Sequence, residues 1–94
     1  MKTIHKFILT LASEQTVQMN EGAKPLTIDM QYGSPCLWAE VDTDKPMRPV
    51  TISVFGTGQG LPEDCGTYLG TVRPTDYLVF HYYINGAAQL CALV

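Results

Sequence analysis

Apolar and polar positions alternate along this chain with a period of two. The pattern is clearest from Pro25 to Tyr32, where Leu26, Ile28, Met30 and Tyr32 face one way and Thr27, Asp29 and Gln31 the other. Such alternation predicts a half-buried antiparallel strand. The same spacing predicts a strand over Cys36 to Asp42, with Leu37, Ala39 and Val41 on its apolar face and Cys36, Trp38, Glu40 and Asp42 opposite. A central strand follows over Val50 to Phe55, with Val50, Ile52 and Val54 on one face and Thr51, Ser53 and Phe55 on the other. Met1 to Leu11 alternates less regularly, but its β-branched residues favour a strand. Thr16 to Met19 and Thr67 to Val72 read as shorter strands. Tyr77 to Ile84 is dense in aromatics: Tyr77, Val79, His81 and Tyr83 share one face, and Leu78, Phe80 and Tyr82 share the other. Ala87 to Val94 reads as a last strand with no charged side chain.

Turn chemistry punctuates these segments. Asn20-Glu21-Gly22-Ala23, Gly33-Ser34-Pro35 and Arg73-Pro74-Thr75-Asp76 read as turns, the last with proline in its second position. Asn85-Gly86 carries the strongest two-residue hairpin signal. No window has helical periodicity. The expectation is an all-β fold: a single domain over residues 1–94, built as a small antiparallel β-sandwich or open barrel of about 7–8 short strands.

Composition narrows the function classes. With 94 residues, 46% of them hydrophobic, the chain can bury one core without disulfide or metal staples. Its six basic residues (Lys2, Lys6, Lys24, Lys45, Arg48 and Arg73) are spread along the sequence, and the net charge is -3. Nucleic-acid binding needs clustered cations against phosphates, so that class is disfavoured. Three cysteines without paired spacing, no secretory pattern and no apolar run of ~20 residues point to an intracellular protein without a membrane span.

The candidate chemistry is sparse. The loop from Gly56 to Gly66 holds four glycines and one proline. Within it, Gly56, Thr57, Gly58 and Gln59 could hold an anion on backbone N–H groups. The spacing fits neither a dinucleotide fingerprint nor a phosphate loop, so a bulge and turn needing positive φ is the competing reading. The loop exceeds ordinary hairpin connections, which favours contact with a partner. Trp38 shares a face with Glu40 and Asp42, and is either a binding anchor or a packed tryptophan. Glu40, Asp42 and Asp44 alternate, but lack a calcium-loop pattern; they read as a solvated strand end or as a strip for a basic partner. Cys65 beside Asp64, with His81 on a distant strand, makes a poor nucleophile pair, because a neighbouring carboxylate raises a thiol pKa. Dispersed Cys and His do not suit zinc. No catalytic residue, metal or cofactor is expected. The uncharged tail 87–94 would need cover as an edge, within the subunit or across a homo-oligomer boundary.

An ordered set of segments adds a resemblance. It comprises Met1-Lys2-Thr3-Ile4-His5-Lys6-Phe7, the Gly22-Ala23 turn, Pro35-Cys36-Leu37-Trp38-Ala39-Glu40-Val41-Asp42, Phe55-Gly56-Thr57-Gly58, Tyr68-Leu69-Gly70-Thr71 and Leu78-Val79-Phe80-His81. In that order they resemble a family of small all-β proteins encoded by bacteriophages and prophages, with Asn85 to Val94 continuing past the pattern. The resemblance implies a phage accessory protein in the cytoplasm of a bacterial host. Such proteins often bind a host protein, some inhibit defences such as CRISPR systems, and some sequester nucleotide signals. The expected function is a non-catalytic module that binds and inhibits a host protein, through Trp38, the acidic strip, the 56–66 loop or the aromatic strand with His81. The alternatives are a nucleotide-sequestering binder, with Arg48 or Arg73 as its cation, and a phage assembly protein.

Overall fold

The alternating segments become seven strands, with no helix, in a computed structural model that describes residues 1–86. They are β1 (Lys2–Ile8), β2 (Glu14–Asn20), β3 (Lys24–Gln31), β4 (Ser34–Asp42), β5 (Met47–Gly56), β6 (Thr67–Thr75) and β7 (Leu78–Gly86). The expected strand over 87–94 lies outside the described residues. All pairing is antiparallel, in a three-stranded sheet of order β1-β4-β3 and a four-stranded sheet of order β2-β5-β7-β6. The two sheets form a small β-sandwich and do not close into a barrel.

The core is the set of inward positions that the alternation marks. Leu37, Ala39 and Val41 of β4 face Val50, Ile52 and Val54 of β5 and Tyr82 and Ile84 of β7, with Met19 and Ile28 closing the sides. Tyr82 has no exposed surface. Its hydroxyl donates to the Thr10 carbonyl at 2.9 Å, tying the four-stranded sheet to the segment that crosses from β1 to β2. The Gln15 side chain brackets the same residue, accepting from the Thr10 N–H at 3.0 Å and donating to its carbonyl at 3.1 Å. β3 lies closely over β6. A Cβ at Gly70 would sit 2.2 Å from Ile28 Cγ2, so only glycine lets the strands approach this far.

That contact sets a test. Gly70→Ala is expected to cost about 1–3 kcal/mol by overpacking. Ile28→Ala alone removes the obstructing methyl and costs about 2–4 kcal/mol as a buried deletion. The double variant should be less destabilised than the sum of the two by at least ~0.5 kcal/mol, read from urea unfolding midpoints. Strict additivity would show that β3 and β6 do not meet at this point.

Four expected turns or boundaries differ. Tyr32 belongs to a turn and not to its strand: Gln31 pairs with Ser34, and Tyr32 (φ 50°) and Gly33 (φ 79°) form the two-residue connection. Two successive positive φ angles match the right-handed twist of the flanking strands, and Tyr32 is left 96% exposed at the tip. The expected Gly33-Ser34-Pro35 turn is therefore shifted, since Ser34 and Pro35 begin β4. The Arg73-Pro74-Thr75-Asp76 turn is also displaced. β6 runs to Thr75 with an irregular register between Val72 and Thr75, and pairing resumes at Leu78 after Asp76-Tyr77. An edge strand tolerates proline, whose missing N–H faces no partner. Finally, Asn85-Gly86 makes no hairpin; both residues remain in β7, opposite Thr51 and Val50. Ladder pairing with β5 outweighs the local turn preference there.

Candidate functional site

β5 and β6 both run antiparallel to β7 and so lie parallel to each other, with β7 between them. A parallel connection cannot be a tight hairpin; the chain must return the length of the strand before starting again. Gly56 leaves β5 opposite Phe80, whereas Thr67 enters β6 opposite Ile84. Residues 57–66 therefore travel back across the outer face of the four-stranded sheet. Topology alone demands most of the loop's length, which had suggested partner contact. The burial of Phe55 records the cover: it is on the outward face of β5, yet only 9% exposed.

Both ends of this loop are fixed to the sheet. At its start, Gln59 closes the turn reciprocally: its N–H donates to the Gly56 carbonyl and its Oε1 accepts from the Gly56 N–H, each at 3.0 Å. Gly58 takes a positive φ of 89° in that turn. The Gly56 and Gln59 N–H groups are therefore committed internally, and the stretch shapes a strand exit. At its end, Asn85 Nδ2 donates to the Asp64 carbonyl at 3.1 Å. Gly66, at φ 100°, passes so close to β7 that a Cβ would lie 2.4 Å from the Ile84 carbonyl oxygen.

A hydrogen-bonded string crosses the outer face beneath the loop's start. Thr57 Oγ1 lies 2.9 Å from His81 Nε2, His81 Nδ1 lies 2.9 Å from Thr71 Oγ1, and the Tyr68 hydroxyl reaches Thr71 Oγ1 in turn. Register builds it: Thr71 pairs with His81, and Tyr68 pairs with Tyr83, so all four side chains share the outer face. Aromatic rings continue the row. Phe55 and Tyr83 meet edge-on at 5.6 Å between ring centres, and Tyr83 meets Tyr68 at 5.5 Å. His81 is bracketed by two hydroxyls, those of Thr57 and Thr71.

The arched loop leaves a depression on each side. One, of about 270 Å³, is lined by Phe55, Thr57, Gln59, Leu61, His81 and Tyr83 among others. The other, of about 440 Å³, opens between β2, β5 and the loop, and its lining includes Glu14, Ser53, Phe55, Asp64, Cys65 and Asn85. No lysine or arginine lines either one. Among the described residues no cluster of His, Cys, Asp and Glu could hold a metal ion. No helix of the described chain is long and apolar enough to cross a membrane.

The structure thus brings Gly56, Thr57, Gly58, Gln59 and His81 together and separates them from the remaining sequence candidates. Trp38, Glu40 and Asp42 lie on the outer face of the other sheet, across the core. Trp38 is half-buried in a row with Lys6 and Thr27, and Glu40 stands between Ile4 and Lys24. The Met1 ammonium reaches into the expected acidic strip, meeting Asp42 at 3.1 Å and Asp44 at 2.8 Å. The Asp44 backbone N–H, and then that ammonium, hold the Asp42 carboxyl below its usual range. Arg48 is paired with Glu21 at 3.0 Å near the opposite end of β5 from the loop, and Arg73 is exposed on edge strand β6. Phe55, Tyr68, Thr71 and Glu14 are not among the sequence candidates, and Asp64 enters only as part of the 56–66 loop. That His81 and Tyr83 share a face was visible, but neither its outward direction nor the flanking strands were.

Residues 1–90 match the family described as Domain of unknown function (DUF7352). No curated protein and no solved structure matches the chain.

Proposed function

From the premise that the chain belongs to the DUF7352 family, we propose that it is a non-catalytic protein-binding module whose outer four-stranded face receives a basic segment of a partner. One observation carries this reading: of the two depressions beside the 57–66 loop, the larger is lined by Glu14 and Asp64 and the smaller by the half-buried His81 and Tyr83 rings, Phe55 borders both, and no lysine or arginine lines either. Carboxylates around aromatic surface suit an arginine or lysine side chain, through charge-assisted hydrogen bonds and cation–π contact. Glu14 and Asp64 disfavour nucleotide sequestration in the larger depression, and neither Arg48 nor Arg73 lines either depression. The resemblance to phage and prophage proteins supports a host protein as the partner, its inhibition as the outcome and the bacterial cytoplasm as the setting.

The test is affinity capture from a bacterial host, followed by calorimetry with the purified partner. The double variant Glu14→Lys/Asp64→Lys should weaken binding by about 2 kcal/mol or more, with the wild-type affinity falling as salt is raised. Trp38→Ala, across the core, should bind unchanged. If Trp38→Ala abolishes binding while the double charge variant binds normally, the three-stranded sheet is the binding face and this reading fails.

A further inference from the structure

Among the described residues the two open sheets have four edge strands, β1, β3, β2 and β6. Exposed edges present unpaired N–H and C=O groups, and proteins blunt them with charge, proline, bulges or cover. Three of these edges are blunted. β1 carries Lys2 and Lys6. β3 carries Lys24, Pro25 and Asp29, with a register break between Pro25 and Thr27. β6 carries Arg73 and Pro74, has two register breaks, and has β3 against it at Gly70. Among the described residues β2 has none of these devices. From Gln15 to Asn20 it is uncharged and free of proline, and its pairing with β5 runs unbroken from Glu14 to Asn20.

We propose that β2 is the seam of a symmetric dimer, pairing antiparallel with β2 of a second copy about a two-fold axis at Val17. The strand is self-complementary in that register. Glu14, its one charge, falls opposite Asn20 of the second copy, so no like charges meet. Thr16 falls opposite Gln18 on the outer face. Gln15 falls opposite Met19 on the inner face, and the half-buried Val17 meets its own counterpart there. A two-fold interface requires such a match of one surface with itself. The product is a continuous eight-stranded sheet, twice the four strands of one copy. The axis stands perpendicular to that sheet, so both 57–66 loops lie on the same side. The two β7 strands, with five strand spacings between them, are about 24 Å apart. This seam is independent of what the outer face binds. If that face takes a basic segment, the dimer presents two such sites together.

Light scattering on the purified chain, with native mass measurement, tests the seam. Wild type should have the mass of two chains. Thr16→Lys/Gln18→Lys places lysines opposite lysines and should give one-chain mass; Thr16→Glu/Gln18→Glu should do the same with glutamates. Both positions are exposed, so each variant should keep the wild-type circular dichroism spectrum and a cooperative melt. An equimolar mixture of the two should restore the two-chain mass as a heterodimer. A monomeric wild type overturns the proposal and leaves β2 for a strand of a different protein. A dimer that survives both variants, or a mixture that stays monomeric, overturns the pairing as well.

Discussion

Tyr82→Ala should lower the unfolding free energy by about 3–5 kcal/mol, the range for removing a buried aromatic ring. Tyr82 is fully buried at the middle of β7, in the row formed by Val54 and Gly70. Small domains hold only about 5–15 kcal/mol in total, so the melting temperature should fall by ~15 °C or more. Tyr82→Phe separates the ring from its hydroxyl. It keeps the packing and loses the bond to the Thr10 carbonyl, which still has Gln15 as donor. Its cost should be about 1 kcal/mol. An alkaline signature follows from the same burial, which pushes the Tyr82 phenol up to about 12. An unfolded tyrosine ionises near pH ~10, so the folded state holds this proton more tightly. The resulting stabilisation is complete below pH ~10 and is lost as the pH rises towards the folded value. Wild-type stability should therefore decline across that alkaline window, measured by urea unfolding, and the Tyr82→Phe profile should be flatter. Parallel profiles would mean that Tyr82 is not the group responsible.

Gly66→Ala should cost about 3 kcal/mol, from two independent sources. Its φ of 100° lies where L side chains rarely go, and its Cβ would press on the Ile84 carbonyl oxygen, a main-chain atom within the β7 ladder. Gly58→Ala, at a comparable φ of 89° but with nothing within 4 Å, should cost clearly less, about 1 kcal/mol. The difference between the two variants, read from thermal melts, isolates the close approach from the backbone conformation. Gly66→Ala should also increase amide exchange across 57–66, because the landing of the loop on β7 is what fixes its second half. Equal costs at the two glycines would show that the loop does not press on the sheet.

Much of this was legible in the sequence. The alternation in β4 and β5 marked the inward sets correctly; in β3 it marked Ile28 but also Leu26 and Tyr32, which the register break after Pro25 and the turn leave exposed, and in β7 it separated Phe80 and Tyr82 from His81 and Tyr83 without saying which set faces the core. The candidate site was legible in part. Gly56, Thr57, Gly58, Gln59 and His81 do converge, but Thr57 and His81 are 24 residues apart and meet only through strand order. Local signals misled where pairing overruled them. Asn85-Gly86 reads as a hairpin on its own, yet β5 supplies a full set of ladder partners that keeps it extended. Sequence could not show that Lys24 lies opposite Glu40, or that the Met1 ammonium reaches Asp42 and Asp44, so the charge surrounding Trp38, Glu40 and Asp42 was not legible in it.

The sequence by itself determined the all-β class and the inward residues of β4 and β5, because side-chain period and burial are local properties of a strand. Tertiary structure alone decided the order β2-β5-β7-β6. Backbone ladder bonds are nearly indifferent to residue type, so which strands become neighbours is set by how the whole core packs. Placing β7 between β5 and β6 sends residues 57–66 across the outer face. There the loop buries Phe55 and leaves a depression on each side, one with Glu14 and Asp64 and the other with His81 and Tyr83.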